Sequence, residues 1–108
     1  MKTFVIAFRR TSPPLADDVR LRLNQETAAW ARSHSNFDLD PRILGRERAV
    51  FNAPADQPDK SAGLSALLFL EAPDLASAGQ VAAAHPGLRY GFSVEVRSWT
   101  KPVAAASR

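Results

Sequence analysis

The residues from Ser93 to Trp99 alternate between two chemistries, and that alternation limits what the chain can build. Val94 and Val96 share one parity, while Ser93, Glu95, Arg97 and Trp99 share the other. Successive side chains of a strand point to opposite faces of a sheet. Phe92 to Thr100 therefore reads as a terminal strand with one face on a core and the other carrying an acid, a base and an indole. Upstream, His85-Pro86-Gly87 reads as a helix stop, and Gly91 launches the strand. Set in water, the polar face would be ordinary; turned into a shared cavity, it would be a binding site.

The rest of the chain supplies elements for that strand to join. Phe4, Ile6 and Phe8 alternate with Thr3, Val5, Ala7 and Arg9, which predicts a first strand over 3–9. Thr11-Ser12-Pro13-Pro14 breaks it. A helix is expected from about Leu15 to Ser33, with Pro14 as an early helical residue, Ser12 as a capping candidate and Asp17 and Asp18 at the positive end of the dipole. At about 100° per residue, Leu15, Ala16, Val19, Leu23 and Trp30 share one face. Glu26 lies within that stripe, one turn before Trp30. Phe37 to Leu44 reads as a short, Pro-interrupted strand, which Pro41 makes an edge strand or two pieces, with Arg46 to Phe51 as a short extension. Asn52 to Gly63 is polar and Pro-rich, a loop and the expected mobile segment. Leu64 to Leu70 is apolar at both parities and suits a central strand. Asp74 is placed to cap a second helix through Ala84 that buries Leu75, Ala78, Val81 and Ala82.

The order β-α-β-β-α-β is that of an α+β, ferredoxin-like sandwich: a four-stranded antiparallel sheet with both helices on one face. The 108 residues suit one domain, taken as 1–100, with 101–108 as a C-terminal tail. The apolar share of 45% and charged share of 23% fit a globular chain rather than a disordered one. No apolar run is long enough to span a bilayer, and the first residues lack the pattern of a signal peptide, so the expectation is a cytoplasmic protein with no membrane partner. Without cysteine, thiolate catalysis and Cys-based zinc sites are excluded. The net charge of +3 comes from arginines scattered among acids, which argues for a solvated surface and no nucleic-acid partner.

Two helices cover one face of such a sheet, so the other must be wet, hold a ligand or meet another chain. Apolar residues of both parities in Leu64–Leu70 argue against a wet face. Face-to-face pairing of two sheets into a homodimer is the simplest solution, and it would enclose Glu95 and Arg97.

The segment from Ala83 through Trp99, with His85-Pro86, Tyr90-Gly91 and Val94-Glu95-Val96-Arg97, resembles the C-terminal signature of YCII-related proteins. The likeness extends more weakly to the whole element order. It implies membership of the dimeric α/β-barrel group, in which two ferredoxin-like subunits join their sheets around a central barrel. It further implies a small organic ligand in the barrel interior, and permits proton-transfer or elimination chemistry of the kind linked to dehalogenation of a chlorinated hydroxyquinone. The family's active centre pairs a histidine on the first helix with an aspartate near the second strand. Here Glu26 stands where that histidine usually does, and Asp40-Pro41-Arg42 lies near where a Gly-Pro is usual.

Each candidate residue has a plain structural reading beside the functional one. His85, at a helix end, is either a cap for the last carbonyls or a catalytic base, and a charge there would suit the helix dipole. His34 is most simply another cap. Glu26 is a rim residue or a proton carrier. Glu95 and Arg97 form cross-strand or cross-subunit ion pairs, or else Arg97 clamps a carboxylate or enolate while Glu95 moves a proton. Trp99 and Tyr90 would wall an aromatic ligand, and Arg9 joins them as a ligand contact; Asp38, Asp40 and Arg42 are lesser candidates. The catalytic set is thus Glu26, His85 and Glu95, and the substrate-binding set Arg97, Trp99, Tyr90 and Arg9. Neither histidine has a second at ligand spacing, so no metal and no cofactor are expected. Gly87-Leu88-Arg89-Tyr90-Gly91 matches neither phosphate-loop spacing, and no nucleophile elbow is present.

Three functions compete. The first is a homodimer that binds a small organic molecule, aromatic or carboxylate, and turns it over by proton transfer or elimination. The second is the same dimer acting as a non-catalytic binding or interaction module. The third, RNA binding, shares the strand order but needs exposed aromatics in a Lys/Arg-Gly-aromatic pattern on the third strand; Leu64-Ser65-Ala66-Leu67-Leu68-Phe69-Leu70 lacks it.

Overall fold

The computed structural model describes residues 1–11, 13–45, 47–49, 51–52 and 63–102. The capping candidate Ser12, the central part of the expected mobile loop (53–62) and the end of the expected tail (103–108) lie outside the described residues, as do Arg46 and Val50. The elements are β1 (Lys2–Arg10), α1 (Asp17–Ser33), β2 (Asp40–Ile43), β3 (Leu64–Ala72), α2 (Leu75–Ala83) and β4 (Phe92–Ser98), with 3₁₀ turns at Ser35–Phe37 and Pro86–Arg89. The strands form one antiparallel sheet in the order β2-β3-β1-β4. This is the α+β sandwich expected from the element order. Pro41 lies in the edge strand β2, where a missing N–H costs no ladder bond. No described helix is long and apolar enough to cross a membrane.

The register divides the sheet by chemistry. Phe4, Ile6 and Phe8 face Leu70, Leu68 and Ala66 on β3, and Ser98, Val96 and Val94 on β4. With Trp30, Ala78, Val81 and Ala82 from the helices, these residues make the core, except Ser98, which is exposed. The opposite parity brings Val5 beside Phe69 and Arg97, and Ala7 beside Leu67 and Glu95. The alternation in β4 thus sorts its residues as the sequence predicts. Gly91 turns the chain into β4 at φ 86°, a conformation that a Cβ would disfavour, and its carbonyl accepts from the Thr11 N–H at 2.7 Å.

Several local expectations need correction. The first helix starts at Asp17 rather than Leu15, leaving Pro14 outside it. Ala16 is extended and provides no side-chain cap, so the free N–H groups are served by the charges of Asp17 and Asp18. Leu23 and Trp30 are buried, but Ala16 is exposed. The segment read as a strand from Phe37 begins with the 3₁₀ turn, and β2 runs only from Asp40 to Ile43; no strand continues through the described residues of the 46–51 extension. Asp74 caps α2, accepting from the Ser77 N–H at 2.8 Å. Leu75 is 57% exposed because the first turn of α2 lies over a shallow groove at the end of the sheet, beside Lys2, Phe4 and Val96. The last strand stops at Ser98, two residues short of Thr100.

Candidate functional site

A cavity of about 550 Å³ lies between α1 and the helix-side face of the sheet. Helical spacing explains its α1 wall: Leu23, Thr27, Trp30 and Ala31 fall on one stripe. Asp38, Leu39, Pro41 and Ile43 close the β2 side, and Ala66, Leu68 and Phe8 form the floor. The floor is opened by a bulge. Between Phe8 and Arg9 the β1–β3 register shifts, and Ser65 donates its hydroxyl to the Phe8 carbonyl at 3.2 Å. Most of the wall is hydrocarbon, and Asp38 is the only charged side chain along it among the described residues.

His85 supplies the opposite wall. Its ring is wedged between Phe8 and Trp30, with centroids 4.6 Å from each. Trp30 is itself fixed by donating its Nε1–H to the Val81 carbonyl at 3.0 Å, which ties α1 to α2. The Gly87 N–H donates to His85 Nδ1 at 2.9 Å. A backbone N–H can only donate, so Nδ1 carries the lone pair and the ring proton sits on Nε2. Gly87 makes this approach possible: a Cβ there would fall 2.9 Å from Nδ1 and 3.1 Å from Cε1. Desolvation pushes the imidazole pKa down to about 4, so the ring is neutral at ordinary pH. A histidinium favoured by the helix dipole is therefore not what forms here. Burial outweighs the dipole, and the ring caps the following turn instead of the helix carbonyls. His34 does cap, its Nδ1–H donating to the Trp30 carbonyl at 2.8 Å.

Glu26 sits beside the cavity rather than in it; Thr27 is the residue that faces inward. The Glu26 carboxylate accepts from the Tyr90 hydroxyl and from the Arg89 guanidinium. The Tyr90 bond is the main cause holding Glu26 below the usual carboxylate range, with Arg89 adding to it against partial desolvation. Tyr90 is raised by the same contact. Glu26 is thus a fixed anion clamping α1 to the turn before β4, and its pKa moves away from what proton transfer near neutrality needs.

The remaining candidates lie on the other face of the sheet. Arg9 Nη1 donates to Glu95 Oε1 at 2.9 Å, across the β1–β4 ladder, with both side chains more than a third exposed. Arg97 stands opposite Val5 on the same face and makes no ion pair with a described residue. Trp99 packs edge-on against Phe69, with centroids 5.6 Å apart. Its indole Nε1 is buried and has no hydrogen-bond partner among the described residues. The structure therefore separates residues that the sequence grouped. His85 lines the helix-side cavity, Glu26 and Tyr90 form a clamp beside it, and Arg9, Glu95, Arg97 and Trp99 occupy the open face. Tyr90 and Trp99 do not wall one site.

Sequence reasoning missed Thr27 and Ser35 as cavity residues, and held Asp38 only as a lesser candidate. Thr27 was findable, four residues after Leu23 and three before Trp30. Asp38 carries a weaker signal: it adopts φ 56°, where Asp is among the better-tolerated residues, so the chain can turn into β2. Among the described residues no group of three or more His, Asp or Glu side chains could hold a metal ion.

No protein-family model matches the chain, and no curated protein matches it by sequence. A solved structure does match in three dimensions: 5-chloro-2-hydroxyhydroquinone dehydrochlorinase (TftG) from Burkholderia phenoliruptrix AC1100, in complex with 2,5-dihydroxybenzoquinone. The TM-score is 0.56 at 15% identity, covering 93% of this chain and 95% of that one. So low an identity over so complete an overlap speaks for the fold alone. The protomer thus shares its α+β fold with TftG.

Proposed function

We propose that this chain is a YCII-like protein that works as a sheet-to-sheet homodimer and holds a small, flat organic molecule in the cavity behind α1. The observation that carries this reading is the cavity itself. Its hydrocarbon walls meet a few polar groups, His85, Asp38, Thr27 and Ser35, which is the usual composition of a small-molecule site. The sequence led us to expect the ligand on the open sheet face, in the barrel interior. The cavity on the helix side is the better-formed place for it. TftG, of like fold, holds 2,5-dihydroxybenzoquinone, and a ring of that size suits a space of about 550 Å³.

The dimer rests on the open face. Val5, Ala7, Leu67 and Phe69 are apolar there, beside Trp99, and no described helix of this chain covers them, which leaves the face for a second copy of the sheet. Arg9 and Glu95 then belong to the rim of the interface rather than to a reaction centre.

Chemistry in the cavity is limited by its polar groups. His85 Nδ1 is occupied, so the base available for proton transfer or elimination is Asp38, with His85 as donor. The non-catalytic reading is favoured by one specific feature: the carboxylate expected to replace the helix histidine, Glu26, is locked to Arg89 and Tyr90 outside the cavity.

Titration with hydroxylated quinones and phenols tests the reading, with Trp30 fluorescence, thermal shift and product formation followed together. Ligands should quench Trp30 and raise the melting temperature, and Ala31→Trp, which fills the cavity, should abolish both effects. Binding that survives Ala31→Trp would place the ligand elsewhere. Turnover that is lost in Asp38→Asn would favour the enzyme over the binder.

A further inference from the structure

We infer that the cavity selects an uncharged ring bearing an acceptor oxygen, a ketone or quinone carbonyl, which takes a hydrogen bond from His85 Nε2–H, and that Gly87 is the residue that positions this donor. The inference rests on the proposed cavity site and adds the ligand's charge and its anchoring atom.

Two features of the wall lead to it. The first is the fixed proton arrangement on His85. With the Gly87 N–H aimed at Nδ1 at 2.9 Å, a second hydrogen cannot occupy Nδ1 without breaking that bond. The imidazole is thus held as a neutral donor through Nε2. Among the described residues Nε2 has no protein partner, yet it is not among the atoms shut off from solvent. The cavity is where its partner would come from. Phe8, tilted, and Trp30, edge-on, each pack against the ring with centroids 4.6 Å away and limit its movement.

The second feature is the charge of the lining. No Lys or Arg is among the described lining residues, and the single charged group is the carboxylate of Asp38. A carboxylate ligand would give up hydration to hydrocarbon walls with no Lys or Arg among the described lining residues to offset the loss. It could recruit a counter-charge from His85 only by protonating Nδ1 and losing the Gly87 bond. A carbonyl oxygen avoids that penalty and can accept from the Nε2–H.

Three compounds of nearly one shape separate the possibilities: acetophenone, benzoate and ethylbenzene, titrated against the full chain at neutral pH. Acetophenone should bind about five- to tenfold tighter than ethylbenzene, the return expected of one neutral hydrogen bond, and benzoate should bind more weakly than either. His85→Phe, which keeps an aromatic ring beside Phe8 and Trp30, should erase the advantage of acetophenone over ethylbenzene. Gly87→Ala should do the same by pushing the imidazole aside. A merely structural role for Gly87 would weaken both compounds equally. In the native protein the His85 Nε2 nitrogen resonance should move with acetophenone and not with ethylbenzene. Equal binding of acetophenone and ethylbenzene, or preference for benzoate, overturns the inference while leaving the cavity as a ring-binding site. Failure of all three compounds to bind removes the cavity reading, and the inference falls with it.

Discussion

The two faces of the sheet differ in how they are finished. On the helix side the ring nitrogens of Trp30 and His85 are paired within the chain, His85 Nε2 excepted. Trp30 Nε1–H has the Val81 carbonyl, His85 Nδ1 has the Gly87 N–H, and a half-open cavity is left between α1, the sheet and the turn before β4. On the open side the apolar strip of Val5, Ala7, Leu67 and Phe69 is flanked by the Arg9–Glu95 pair, and the one buried polar side-chain atom without a partner among the described residues, Trp99 Nε1, sits at its end. The helix side is a packed core with a cavity at its edge, while the open side is an apolar strip beside charged side chains. The proposed ligand belongs to the first and the proposed dimer contact to the second.

Adjacent residues of β1 offer the strongest way to break that comparison. Ile6 is fully buried in the core, and Ile6→Ala should cost about 2–5 kcal/mol in chemical denaturation, independent of protein concentration. Val5, its neighbour, faces the open side opposite Phe69 and Arg97. Val5→Asp should leave the protomer folded and convert dimer to monomer in sedimentation analysis, since an unpaired charge in an interface costs about 2 kcal/mol or more. A Val5→Asp protein that still sediments with the native mass would show that the open face is not the interface.

Acid should strike the helix side first. Unfolded His85 takes up a proton as the pH falls below its ordinary value of 6.5, while the folded ring stays neutral down to about 4. Its contribution is therefore fully present above 6.5 and is lost as the pH falls through that window. Because the ring is only partly buried, the loss is on the order of 1–2 kcal/mol. Urea melts between pH 7 and 4 should show it, and His85→Phe should flatten the slope. Glu26 acts at lower pH. Its lowered pKa means that the stability it contributes is present above its ordinary value of 4.5 and disappears below it, and Glu26→Gln should remove that component.

The smallest effect belongs to the Arg9–Glu95 pair. A double-mutant cycle with Arg9→Ala and Glu95→Ala in the monomeric Val5→Asp background should give a coupling below about 1 kcal/mol, as for other exposed pairs. A larger coupling in the dimer than in the monomer would place the pair inside the interface.

Much of this contrast is legible in the chain because it is local. Strand alternation sorted Val94 and Val96 from Glu95 and Arg97, Asp74 announced the α2 cap, and Pro41 announced an edge. The site was less legible. Glu26 and Thr27 are neighbours on one helix, and a rotation of 100° decides which of them looks into the cavity. The α1 stripe read from the sequence includes Glu26, whereas the structure turns Thr27 to the cavity. Leu75 fits the α2 stripe by spacing and is still exposed, because periodicity does not say where the underlying sheet ends.

The sequence by itself determined the element order, the two-faced chemistry of the sheet and the α+β class, since backbone stereochemistry sets the periods of strand and helix within a few residues. Only the tertiary structure decided the side of the sheet on which each candidate lies. The segment from His85 to Trp99 reads as one motif along the chain, yet it is divided between two faces. Phe8 and Trp30, far away in sequence, close on His85 and hold it neutral in a cavity, while Trp99 turns to Phe69 on the other side. Packing between distant residues fixes burial, and burial fixes the charge of His85.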